Sequence, residues 1–145
     1  MDIFTTFDIA ASGLKAQQTR LNTISSNLAN AETTATPEGG PYKKKSVLFR
    51  TEPAPFQRHL TASMQEQRHA EGVKVAKIIE DNSPPQLVYD PSHPDARPDG
   101  YVALPNVSVL KEIVDMMSAT RSYEANTTTI KSAKRMAMKA LDIGR

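Results

Sequence analysis

Two long, single-faced apolar stripes lie at the two ends of this 145-residue chain, and nothing comparable lies between them. The first runs Ile3, Phe7, Ala10, Leu14, Gln17, Leu21, Ile24, Leu28 and Ala31. The second runs Ile113, Met116, Thr120, Tyr123, Thr127, Ile130, Lys134, Ala137 and Leu141. Steps of four and three residues keep one side of a helix turned toward a partner. A chain that carries helix-packing surface at both termini is organised to assemble, which favours a structural subunit over an enzyme.

The stripes divide the chain into three parts: residues 1–35, an N-terminal helix; 36–105, a β and loop middle; and 106–145, a C-terminal helix. The first helix is expected from about 3 to 31, with Asp2 or Thr6 as its cap, and it stops before Thr33-Thr34-Ala35-Thr36-Pro37 and Gly39-Gly40-Pro41. Asn22, Ser25, Ser26, Asn27 and Asn30 are mediocre helix formers. They read either as a fraying polar end or as short side chains that hydrogen-bond to neighbouring subunits. The second helix is expected from about 107 to 142, with Pro105-Asn106 as stop and cap, Gly144 past its end, and Arg121 and Glu124 spaced to pair. In the middle, Tyr42 with Val47-Leu48-Phe49, Gly72 to Ile79 and Gln86 to Tyr89 read as strands. Asn82-Ser83-Pro84-Pro85 reads as a hairpin connection between the last two. Thr51 to Glu71 is polar, and reads as a loop or a short amphipathic piece.

Composition limits what such a chain can do. Aromatics make up 6% and there is no Trp, so a large globular core is thinly supplied. A lone amphipathic helix draws most of its stability from packing partners. The terminal helices are therefore expected to be weakly ordered in the free chain and firm once assembled. Polar residues in the seams, such as Thr120, Thr127 and Lys134, set register and partner choice rather than strength. A net charge of +2 is too small to argue for nucleic acid, and Lys43-Lys44-Lys45 reads as a solvated strand edge. No apolar run approaches the roughly 18 residues of a membrane span. The start Met1-Asp2-Ile3, with no Lys or Arg before Lys15, is unlike a cleaved secretory signal. The absence of cysteine removes disulfides, thiol catalysis and soft metal ligands.

No residue receives a catalytic, cofactor-binding or metal-binding role, no cofactor is expected, and the chain is read as not an enzyme. His59, His69 and His93 lack metal-ligand spacing. Asp90, Asp95 and Asp99 share a loop with His93 and three prolines, where Asp, His and Pro are common turn residues. Gly39-Gly40 is followed by Pro41, which has no N–H to offer a phosphate, and Ser108 and Ser122 have no His at an interpretable spacing.

The stretch Ser12-Gly13-Leu14-Lys15-Ala16-Gln17-Gln18, continuing Leu21-Asn22-Thr23-Ile24-Ser25-Ser26-Asn27-Leu28-Ala29-Asn30-Ala31, resembles the N-terminal signature of bacterial flagellar rod and hook proteins. Glu112-Ile113-Val114-Asp115-Met116-Met117 and Arg121-Ser122-Tyr123-Glu124-Ala125-Asn126 are similar to the other end of that family. Gly39-Gly40-Pro41-Tyr42-Lys43-Lys44-Lys45, Tyr89-Asp90-Pro91-Ser92-His93-Pro94, Asp99-Gly100-Tyr101-Val102, Pro105-Asn106-Val107 and Ala140-Leu141-Asp142-Ile143-Gly144-Arg145 narrow the resemblance to the family's proximal-rod members. Residues 50–71 depart from it.

The resemblance implies a mainly α fold with a small β-rich middle. The two terminal helices would pack as an antiparallel, coiled-coil-like pair in a helical tubular assembly. It implies a structural subunit of the hollow drive shaft that crosses the periplasm within the flagellar basal body. The partners are further copies of itself, neighbouring rod subunits and the flagellar type III export apparatus, with uncleaved export and no membrane insertion. Ile3, Phe7, Leu14, Leu21, Ile24, Leu28, Ile113, Met116, Tyr123, Ile130 and Leu141 are then expected to carry packing within and between subunits. Asn27, Asn30, Glu124 and Asn126 are expected to make polar contacts between subunits. Other readings are a different rod or hook subunit, a cytosolic export adaptor with coiled-coil ends, and an enzyme built on the Asp90–Asp99 loop.

Overall fold

The computed structural model describes residues 3–52 and 71–143, so the reading of the segment after Thr51 falls, apart from its ends, outside the described residues. Among them, helix α1 spans Ile3–Ala29, strands β1 (Lys45–Glu52), β2 (Gly72–Glu80), β3 (Gln86–Tyr89) and β4 (Tyr101–Leu104) follow, and helix α2 spans Val109–Ile143. At about 1.5 Å per residue the helices are about 40 and 52 Å long. They run antiparallel, because Asn27 near the end of α1 meets Glu112 near the start of α2, while Gly13 meets Asn126 farther along.

Helix ends follow side-chain chemistry. Asn30 closes α1: its amide side chain turns back to donate to the Ser26 carbonyl at 2.8 Å, and its backbone N–H donates to the same oxygen at 3.1 Å. At the start of α2 the cap lies two residues beyond Asn106. The Ser108 carbonyl accepts the first helical bond, from the Glu112 N–H at 3.0 Å. Thr6 lies inside α1 rather than before it. Arg121 and Glu124, both exposed, form no ion pair among the described residues.

The strands pair differently from the expected hairpin. β1 pairs antiparallel with β2, from Lys45 opposite Glu80 to Glu52 opposite Gly72, with an irregularity between Leu48 and Phe49. β3 pairs antiparallel with β4, from Gln86 opposite Leu104 to Tyr89 opposite Tyr101. Pro84-Pro85 explains the correction. Two prolines hold the chain extended and supply no N–H, whereas a tight hairpin needs positive φ at its centre. Asp81 bends the exit from β2, accepting from the Ser83 N–H at 2.9 Å. The turn that does form lies before β4, where Gly100 has φ +78°. A Cβ there would sit 2.7 Å from the Tyr89 ring, which packs edge-on to Tyr101 with centroids 5.3 Å apart.

The helix seam is centred on small and polar residues rather than on the largest apolar ones. Ala10, Gly13, Ala16, Thr23, Ile24 and Asn27 are buried on α1; Glu112, Ala119 and Ala133 are buried on α2. Phe7, Leu14, Gln17, Leu21 and Leu28 are half-buried beside that line. On α2 the expected stripe is rotated away from the partner, leaving Ile113, Thr120, Tyr123, Lys134 and Leu141 exposed. Close approach of two helices selects residues without bulk, and the large side chains flank the contact. A Cβ on Gly13 would meet Asn126 Nδ2 at 3.0 Å. Gly13→Leu should therefore wedge the pair apart and cost about 1–3 kcal/mol. A fall in the urea midpoint, partly reversed by adding Asn126→Ala, is the expected result; an unchanged midpoint would show that the helices do not meet there.

Candidate functional site

The polar groups of the described residues converge where the end of α1, the lead into β1 and the start of α2 meet. Asn27 is 1% exposed and uses both ends of its amide. Its Nδ2 donates to the Lys45 carbonyl at 2.8 Å and to Glu112 Oε2 at 3.0 Å. Its Oδ1 accepts from the Lys45 N–H at 2.9 Å and from the Tyr42 hydroxyl at 3.0 Å. An asparagine side chain has two donors and two acceptor positions, and all are taken. Ser26 Oγ lies 3.4 Å from the same hydroxyl.

Glu112 is a carboxylate 1% exposed in a seam of small residues. Burying a charge is costly unless it is paired. The Lys44 ammonium lies 2.6 Å from Oε1 with its side chain 17% exposed; it balances the charge by proximity, without an aligned hydrogen bond to that oxygen. The lysine run is therefore not one solvated edge. Lys44 points inward to Glu112, Lys45 pairs across the strands with Glu80 at 3.6 Å, and Lys43 donates to Asn82 at 3.3 Å. One turn along the seam Arg20 meets Asp115 at 3.3 Å, at a half-exposed position where such a pair adds little.

The expected site residues separate into distinct settings. Ile24 is buried, Phe7, Leu14, Leu21, Leu28, Met116 and Ile130 are half-buried, and Ile113, Tyr123 and Leu141 are exposed. Ile3 begins α1. Asn27 and Asn30 make the bonds given above within the chain. Asn126 donates to the Ser122 carbonyl at 3.0 Å, and Glu124 is exposed. Gln17 buries its Oε1 without a hydrogen-bond partner among the described residues. Tyr42, Lys44 and Glu112, which complete the junction, escaped the sequence reading as site residues. Glu112 carried one available signal: it lies four and seven residues before Met116 and Ala119, on the line that faces α1.

The outer side of α2 has a different chemistry. Leu110 (74% exposed), Ile113, Val114 (59%) and Met117 follow one another at i, i+3, i+4 and i+7, so they form a single apolar face over the first turns. Met136, Met138 and Leu141 continue apolar exposure near the far end of α2, and Phe4 near the start of α1 is exposed as well.

In the Asp90–Asp99 loop the polar groups serve the turn. The Ser92 hydroxyl and N–H both donate to Asp90, holding its carboxyl below the usual range. Asp95 accepts from Thr34 at 2.7 Å, and His93 Nδ1 accepts from the Asp95 N–H at 3.1 Å. Among the described residues no group of three or more His, Cys, Asp or Glu is placed to hold a metal ion, and no helix is long and apolar enough to cross a membrane.

Known proteins match this chain in sequence along its whole length. The flagella basal body rod protein family matches residues 7–35, and the flagellar basal body rod FlgEFG protein C-terminal family matches residues 99–143. The chain is 47% identical to the flagellar basal-body rod protein FlgC of Bacillus subtilis, covering 100% of both chains. It is 44% identical to that of Salmonella typhimurium, covering 99% of each. It is 42% identical to that of Borreliella burgdorferi, covering 99% of this chain and 98% of the other. With two rod-family matches at its ends and such identities along essentially its whole length, the chain belongs to the FlgC family of flagellar basal-body rod proteins.

Proposed function

We propose that this chain is a structural subunit of the flagellar basal-body rod, assembling with further copies and with neighbouring rod subunits into the hollow shaft that carries motor torque. The observation that carries this reading is the uncovered face of Leu110, Ile113, Val114 and Met117 on a helix whose opposite side is already occupied by α1. On this reading the face meets a different surface on the next molecule, since a heterologous contact propagates into an open helix where a self-complementary one would close as a dimer. The paired α1 and α2 then form a coiled-coil-like wall of the tube, and strands β1 to β4 of the middle pack outside it and between subunits. Phe7, Leu14, Leu21 and Leu28, beside the small-residue seam, and the exposed Ile113, Tyr123 and Leu141 supply packing between neighbours. Glu124, exposed on the outer side of α2, supplies a polar contact. Delivery through the flagellar type III export apparatus belongs to the same proposal.

Leu21→Asp tests the packing part. It places a charge on a half-buried position beside the seam, and loss of both rod assembly and swimming is expected, with export retained. Normal swimming in that variant would remove the packing role of the first stripe.

A further inference from the structure

The apolar part of the buried seam is mostly small and sets the axial position of the helix pair only in part. Ala10, Gly13 and Ala16 on α1 recur at steps of three, and Ala119 and Ala133 on α2 are equally small. Sliding one helix by a turn sets Met116 or Ser122 where Ala119 sits and Ile130 or Ala137 where Ala133 sits, a repacking of apolar and small residues whose cost shifts of the flanking side chains relieve in part. Polar groups in such a seam are less forgiving, since a buried amide or carboxylate that loses its partner is strongly disfavoured. Buried polar residues accordingly set register in paired helices.

Here most of the polar partners lie outside the helices. Of the four bonds made by Asn27, one reaches Glu112 on α2 and three reach the lead into β1: the Lys45 carbonyl, the Lys45 N–H and the Tyr42 hydroxyl. Of the two Glu112 oxygens, one binds Asn27 and the other faces Lys44. Without the lead, Asn27 keeps a single bond and Glu112 loses its counter-charge.

We infer that residues 42–45 form a register latch, in which Tyr42, Lys44 and the Lys45 backbone engage Asn27 and Glu112 together and select one axial position of α1 against α2. The middle of the chain thereby sets the geometry of the terminal helix pair from within one subunit, whatever the pair later assembles with. Asn27, Lys44 and Glu112 are positioning residues in this scheme.

The test uses nitroxide labels on the full chain at Asn22→Cys and Thr128→Cys. Both positions are exposed, one on each helix, and the protein has no cysteine of its own. Pulsed electron-spin resonance should give a single narrow distance in this labelled parent. Two further variants carry the labels: the apolar triple Asn27→Leu, Lys44→Met, Glu112→Met, and the lead-only pair Tyr42→Phe, Lys44→Gln. Each is expected to keep its helical circular dichroism and to gain a second distance displaced by about 5 Å, one helical turn. One unchanged narrow distance in both variants would overturn the latch. So would a broad distribution in the labelled parent, or loss of helicity in either variant, which would make the cluster a source of stability rather than of register.

Discussion

Whatever order the helix pair has in the free chain, replacing Leu110 and Val114 together by Asp is expected to leave it unchanged while abolishing incorporation into the basal body. Both side chains are mostly exposed, at 74% and 59%, so the folded chain loses little buried surface when they go. Asp is a weaker helix former than Leu by a few tenths of a kcal/mol. Its charge is favoured in the first turn, where Leu110 lies, which offsets part of that. The expected loss of stability is under about 1 kcal/mol, as for exposed substitutions away from buried contacts. In a packed lattice the same two carboxylates would be stripped of water against apolar neighbours, at a cost of several kcal/mol. Each 1.4 kcal/mol of that is about a tenfold loss of affinity. The urea midpoint of the purified chain should thus stay within experimental reach of the parent. The variant should be missing from isolated basal bodies, and cells that depend on it should not swim. A motile double variant would mean that this face meets nothing in the rod.

Asn27→Ala is expected to be the most destabilising single substitution at the junction. It leaves the Lys45 carbonyl and N–H, the Tyr42 hydroxyl and Glu112 Oε2 each short of a partner in a buried or half-buried setting. Stranding a buried polar group costs about 1–3 kcal/mol. Water reaches some of these groups once the side chain is shortened, so the expected total is about 3 kcal/mol rather than the full sum. Denaturant unfolding of the free chain reads this directly. A loss below about 0.5 kcal/mol, the range of an ordinary surface change, would show that the junction is not formed in the free chain.

The helices were legible because their signals are local. The stripe from Ile3 to Ala31 and the stop after it give α1 as 3–31, and Pro105-Asn106 and Gly144 give α2 as 107–142, each end within two residues of Ile3–Ala29 and Val109–Ile143. Which side of each helix faces the other was harder to read. Hydropathy ranks Ile113, Tyr123 and Leu141 above Ala119 and Ala133, yet the close contact favours the small residues. Strand pairing was misread because β2 finds its partner across a long gap in sequence, in β1, while Pro84-Pro85 blocks the nearer choice. The turn before β4 carried an Asp99-Gly100 signal, overshadowed by the brevity of Tyr101–Leu104. The junction was least legible. Lys44, Asn27 and Glu112 are far apart in the chain, and each alone reads as an ordinary polar residue at a helix end or strand edge.

Among the described residues, the ion pair and the hydrogen bond between α1 and α2 described above lie toward one end, at Arg20 with Asp115 and at Asn27 with Glu112. Toward the opposite end, past Gly13 and Asn126, the buried positions are alanines. A pair fastened this way opens like a clothes-peg, with the spring at one end and the jaws at the other. Spreading the jaws at Phe4 and Leu141 is expected to cost less than parting the junction, and would bare apolar surface while the spring keeps the two arms of one molecule together.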